Sequence, residues 1–312
     1  MKLNVIRLIS VLWFVIGANF GFPQMAFAQT SCPPQQWDKA ALLELRDKQF
    51  QLAESISPSA FAKALVPCLR SLDPELRDQI AYEGLSSLMR SNQIDIATAL
   101  SLFAELIGWL DSEVADDNGV GKPFAILVLA ELARMDRLES YLSNDQRQQL
   151  IMVTRSYLRS LDDYRGFDAN EGWRHGVAHA ADLVLQLALN PEISTDQLQQ
   201  LADSLGLQIL PTKEHFYRYG EPQRIARAVF YITQREQIEG DWWQWWFARL
   251  SDSAKSFHGS PIDLFHSNNG LARRHNLMAF YMALYVYVNE NGSTTTKEQL
   301  LPLLRQGIVA LS

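Results

Sequence analysis

His175 and His179 stand four residues apart and Asp182 follows three later, a spacing that turns two imidazoles and a carboxylate to one side of a helix. Such a trio can ligate a metal ion, move a proton as general acid and base, or hydrogen-bond to nearby backbone as a structural fixture. Gly176 sits where a zinc-protease helix carries its glutamate, so that motif is excluded. The preceding segment supplies Asp163, Arg165, Glu171 and Trp173, which add carboxylates, a guanidinium fork and a ring face. His215 and Arg224 complete the set of candidate binding residues, and Asp163, Arg165, His175, His179 and Asp182 are expected to form one hydrogen-bonded cluster. His175, His179 and Asp182 are also the candidate metal ligands, although no cofactor is implied. No covalent nucleophile can be nominated, because a GxSxG elbow, a phosphate-binding glycine loop and a dinucleotide fingerprint are all missing.

Two further groups draw the eye. Trp242, Trp243, Trp245 and Trp246 spread over about 160° of a helix, too wide for one platform, so core packing with at least one ring outside is expected. Asp116-Asp117-Asn118-Gly119 lacks the alternating ligands and terminal glutamate of a calcium loop and reads as a solvated turn.

The elements that must hold these residues are helices. Placing Glu171 to Asn190 on one helix gathers Glu171, His175, His179, Asp182, Gln186 and Asn190 into a stripe about 100° wide, and nearly everything else on it is apolar. A helix so wrapped packs on several sides, and its polar stripe is expected to line a groove. Apolar residues recur at three- and four-residue spacing throughout, as in Leu85, Leu88 and Met89, while strand signals are nearly absent. The fold class is all-α. Pro74, Pro123, Gly172, Pro222 and Gly270 mark helix starts at intervals of 48–50 residues, and a second helix falls inside each interval. Stacked αα-hairpins follow, about six in a single domain over 29–312, as a HEAT- or armadillo-like solenoid or, alternatively, a closed α/α toroid. In such an array the loops 111–121, 162–170, 208–220 and 258–269 emerge at one edge, where binding or catalysis is usually placed.

Composition sets the partners. A chain of 312 residues, 47% apolar and carrying a net charge of -7, buries a full core and is a poor match for nucleic acid. Residues 1–28 read as a cleaved signal peptide: Lys2 and Arg7, an apolar run from Leu8 to Phe20, and a small-x-small site at Ala26-Phe27-Ala28. That run is too short for a stable membrane span. A periplasmic or secreted location follows, and there Cys32 and Cys68 make a natural disulfide pair.

The runs Asp163-Tyr164-Arg165-Gly166-Phe167, Gly172-Trp173-Arg174-His175 and Ala178-His179-Ala180-Ala181-Asp182 resemble an uncharacterised bacterial family, domain of unknown function 2785. The resemblance extends to Asp73, Arg77 and Asp78 and to Gly220-Glu221-Pro222-Gln223-Arg224, and covers about 70–290. It departs at Gly121-Lys122-Pro123-Phe124, where the family carries an Arg-Ser-Phe-like run. The resemblance implies a helical fold and no activity. Two functions stay open: a binding or scaffold protein of the envelope that takes a protein, peptide or envelope polymer, and a hydrolase or isomerase using His, Asp and Arg at the loop edge, acting on a glycan or with a metal. Convergence of His175, His179 and His215 on Asp163 or Asp182 favours chemistry; its absence favours binding.

Overall fold

The computed structural model describes residues 31–111, 116 and 118–312, so the expected signal peptide and Asp117 lie outside the described residues. Disulfide and helix caps open the chain. Cys32 is bonded to the fully buried Cys68 and ties the first described residues to the 3-10 turn Val66–Arg70. Between them run α1 (Lys39–Asp47) and α2 (Pro58–Leu65), whose free N–H groups are taken up by Asp38 and Ser57. A π-helical segment, Glu75–Tyr82, winds directly into α3 (Glu83–Arg90), and α4 (Ile96–Asp111) follows.

The remaining elements are α5 (Gly121–Leu138), α6 (Asn144–Ser160), the hairpin β1 (Phe167–Asp168) with β2 (Gly172–Trp173), α7 (Gly176–Ala188), α8 (Thr195–Ile209), α9 (Glu221–Thr233), α10 (Gly240–Ala254), the hairpin β3 (Ser256–Phe257) with β4 (Ser260–Pro261), α11 (Asn268–Asn291) and α12 (Thr294–Leu311). Capping boxes start α6 at Ser143 with Gln146 and α8 at Ser194 with Gln197, each closing two backbone donors at once. Among the described residues the protein is all-α apart from two short hairpins.

Packing follows the apolar faces. α3, α5, α7, α9 and α11 lie side by side in succession, and α2, α4, α6 and α8 do likewise, as do α10 and α12. α7 sits between α5 and α9, which is why it is apolar almost all round, with eleven of its thirteen residues buried. Trp243 and Trp246 are core residues of α10, whereas Trp245 faces outward with Arg249 over its ring at 4.3 Å. Asp116 closes the start of α5 by accepting the N–H groups of Gly121 and Lys122 at 3.1 and 2.8 Å.

One boundary differs from the sequence reading. Glu171, Trp173 and His175 are not on the helix that carries His179 and Asp182, because α7 spans only Gly176–Ala188, His175 stands just before it in a left-handed conformation, and residues 167–173 fold back as the β1–β2 hairpin. Asp168 dictates this turn: its Oδ1 accepts the N–H groups of Asn170 and Glu171 at 2.8 and 3.0 Å, an Asx turn that competes with helix.

Candidate functional site

The connections between first-row helices touch one another in sequence. The Arg174 guanidinium donates to the Asn118 carbonyl from the α4–α5 loop, and the Tyr164 ring meets His215 of the α8–α9 loop at 5.6 Å. Onward, Asn276 of α11 donates to the His215 carbonyl at 2.8 Å and accepts from the Tyr217 N–H at 3.0 Å. The β1–β2 hairpin is the centre of this edge.

Arg77 anchors it from ninety residues away. Its fully buried guanidinium donates to the carbonyls of Glu171 and Trp173 at 2.7 and 3.0 Å, to the Ser71 carbonyl at 3.0 Å, and to Asp78 at 2.7 Å. Gly172, at φ +72°, lies so close to this clamp that a Cβ would stand 2.6 Å from Pro74 Cβ, so only glycine fits. On the other side Gly166 packs beneath the Tyr219 ring, where a Cβ would meet ring carbon at 2.1 Å. The hairpin continues to His175, whose N–H donates to the Arg165 carbonyl at 3.1 Å, and His175 itself is held at φ +51°. A non-glycine residue kept in the left-handed region is strain that only a surrounding structure can hold, and such positions concentrate at functional sites.

The expected single cluster does not form. Asp163 pairs with Arg165 at 2.5 Å, Asp182 with Arg224 at 2.8 Å, His179 donates through Nδ1 to the Pro123 carbonyl at 3.0 Å, and His175 Nε2 faces Glu221 Oε1 at 3.5 Å. The cause is the position of α7 between α5 and α9: its polar residues split between the two neighbours instead of facing one space. The expected groove along the stripe is closed for the same reason, with Gln186 bonded to Arg137 at 2.7 Å and Asn190 to Asp136 at 2.8 Å. The metal trio of His175, His179 and Asp182 is not assembled either, since the Asp182 carboxylate is turned to Arg224. Among the described residues, no three His, Cys, Asp or Glu side chains are placed to hold a metal ion.

Burial governs the electrostatics. It pushes His175 down to about 4 and His179 down to about 3, the latter with help from the neighbouring imidazole, so both rings are neutral at physiological pH. The same burial raises the Glu221 carboxyl, whose Oε2 accepts the Tyr219 N–H at 3.0 Å. Neither His175 Nε2 nor Glu221 Oε1 has a hydrogen-bond partner at standard geometry, and Trp173 stacks over the His175 ring with centroids 4.7 Å apart.

Outside this buried layer the edge is aromatic and basic. Phe167, Trp173 and Tyr219 are 45%, 38% and 43% exposed, with Phe167 5.1 Å and Tyr219 6.0 Å from the Trp173 ring. A cavity of about 430 Å³ opens beside them, lined by Arg165, Arg174, His215, Arg218 and Tyr219 among others. A second, of about 500 Å³, adjoins it and shares Phe216 and Arg218. Asp163, Glu171 and Trp173 thus border the same edge as Arg165 and His215, while His179, Asp182 and Arg224 belong to the packing beneath it. The sequence reading missed Phe167, Arg218, Tyr219 and Glu221 as site residues. The aromatic and basic run Glu214-His215-Phe216-Tyr217-Arg218-Tyr219 was the available signal.

Fold and site together define an all-α protein with an aromatic, arginine-lined cleft at the loop edge of its helix rows. The chain belongs to the family described as protein of unknown function (DUF2785), whose model matches residues 88–286 and so spans the whole cleft while leaving out Arg77. No curated protein and no solved structure matches the chain.

Proposed function

We propose that this chain is an exported α-solenoid of stacked αα-hairpins that binds an envelope ligand along its loop edge. One observation carries the reading: Asp163 with Arg165, Asp182 with Arg224, and His179 with the Pro123 carbonyl are closed off in separate pairs, while the ring faces of Phe167, Trp173 and Tyr219 stay open beside a cavity. Open ring faces next to unoccupied donors recognise a ligand without changing it. The buried His175 and Glu221 pair is the feature most suited to acid and base work, yet Trp173 covers the imidazole and leaves a substrate no approach.

Successive contacts along α3, α5, α7, α9 and α11 support a solenoid. Export is supported by the charged and apolar start with its Ala26-Phe27-Ala28 site, and by the Cys32 to Cys68 bond, which persists in oxidising compartments. Mass spectrometry of protein from the envelope fraction should find a chain beginning at Gln29.

The test of binding is photo-crosslinking in cells with Tyr219→p-benzoylphenylalanine, against the same replacement at the equally exposed Trp245 on α10. Adducts at 219 and none at 245 are expected. Absence of an adduct at 219, or equal labelling at both positions, refutes the loop edge as the binding site.

A further inference from the structure

The two adjoining cavities differ from an ordinary hydrophobic pocket in what lines them. The first has ring side chains and charged side chains but no aliphatic one, and the second adds only Pro222 and Ala279. Apolar peptide side chains seek aliphatic or mixed pockets. Sugar rings instead lay their C–H faces on aromatic rings and give their hydroxyls to charged and planar polar groups, and this lining offers both. Tyr219 and Phe167 supply exposed faces on one side and Phe216 on the divide between the cavities.

Charge narrows the class. In a chain of net charge -7, three guanidinium groups border the first cavity. Arg165 is held by Asp163 at 2.5 Å and Arg174 by Glu171 at 2.6 Å, so their charge is largely answered within the protein. Of the two lining carboxylates, Asp168 is occupied by its own turn and Glu214 is exposed and open to a sugar hydroxyl. Arg218 is different: it is exposed, lines both cavities, and has no ion pair or hydrogen bond among the described residues. A free planar fork at the junction matches a carboxylate held between two sugar-sized spaces.

We propose that this cleft binds an acidic oligosaccharide, its rings stacked on Tyr219 and Phe167 and a uronate carboxylate paired with Arg218. The assignment rests on the loop edge being the binding site. Each cavity falls within the roughly 300–1,000 Å³ of small-ligand sites, so the pair holds at least two sugar units.

Calorimetric titration of the purified protein with trimers of galacturonate, glucuronate and mannuronate tests it, with the galacturonate methyl ester and pentaglutamate as comparisons. At least one uronate trimer should bind, with the ester and the peptide about tenfold weaker or worse. Arg218→Gln should weaken the acid about tenfold and abolish the preference over the ester. Tyr219→Ala should weaken both sugars, and Tyr219→Phe, which keeps the ring over Gly166, should retain binding if the ring face is what counts. Failure of all three trimers, equal binding of pentaglutamate, or an unaltered acid preference in Arg218→Gln overturns the proposal. The outcomes separate cleanly: crosslinks at position 219 that carry no carbohydrate defeat the saccharide and leave the loop-edge site standing, while no crosslink there defeats both.

Discussion

Replacing Arg77 by methionine keeps most of the side-chain volume and removes the guanidinium donors that hold the β1–β2 hairpin to the first helices. Four hydrogen bonds disappear at once: those to Ser71, Glu171 and Trp173 carbonyls and the one to Asp78. Arg77 is fully buried and the Asp78 side chain only 20% exposed, so the carboxylate is left in a poorly solvated place without its counter-charge. Removing one partner of a buried pair costs about 3–5 kcal/mol. With an m-value of about 3 kcal/mol/M, the urea midpoint should fall by about 1–1.7 M. The deficit should also depend on pH. Burial already raises the Asp78 carboxyl while Arg77 draws it down, and without Arg77 the native state keeps that proton to higher pH than the unfolded chain does. The unfolded chain then binds fewer protons, so the loss grows as pH climbs above about 4. Hydrogen exchange reads the local part: amides of residues 167–175 should lose protection before the rest of the chain. A loss under about 1 kcal/mol with those amides still protected would refute the clamp.

Three further outcomes are expected. Cys68→Ser should lower stability by about 4 kcal/mol through the 36-residue separation it unlinks, measured as the shift between oxidised parent and variant in urea. His179→Ala should cost about 1–3 kcal/mol for its lost bond to Pro123. It should also flatten the pH dependence. Native His175 and His179 refuse protons that the unfolded chain accepts below pH 6.5, so parent stability falls from there toward pH 5, each histidine contributing a slope approaching about 1.4 kcal/mol per pH unit. Urea midpoints at pH 7 and 5 decide this, and an unchanged slope in the variant would remove His179 as its source. Finally, Trp246→Ala should cost about 3–5 kcal/mol and Trp245→Ala under about 1, since only the first ring is buried; thermal melts of both check it.

Much of the helical frame was legible before any coordinates. Ser143 and Ser194 start α6 and α8 by local chemistry, because a side-chain oxygen three residues before an N–H acts within one turn. The start of α7 was not legible from period alone, because Asp168 makes a turn that the apolar pattern of 171–190 overrides on paper. What His175 and His179 touch was not foreseeable. Their partners, Glu221 and the Pro123 carbonyl, lie 46 and 56 residues away on two different neighbours.

By itself, the sequence determined the class of structure and the cysteine pair, since periodicity and the number of thiols act over a few residues or by elimination. Family membership, too, was readable in the runs around His175. Tertiary structure alone decided which polar residues meet. A helix packed on two sides divides its stripe between both neighbours, so residues sharing one face in sequence end in separate ion pairs. It also decided the cleft, because Phe167 comes from the β1–β2 hairpin and Arg218 and Tyr219 from the α8–α9 loop, and the hairpin is fixed beside that loop by Arg77, a residue outside the family match.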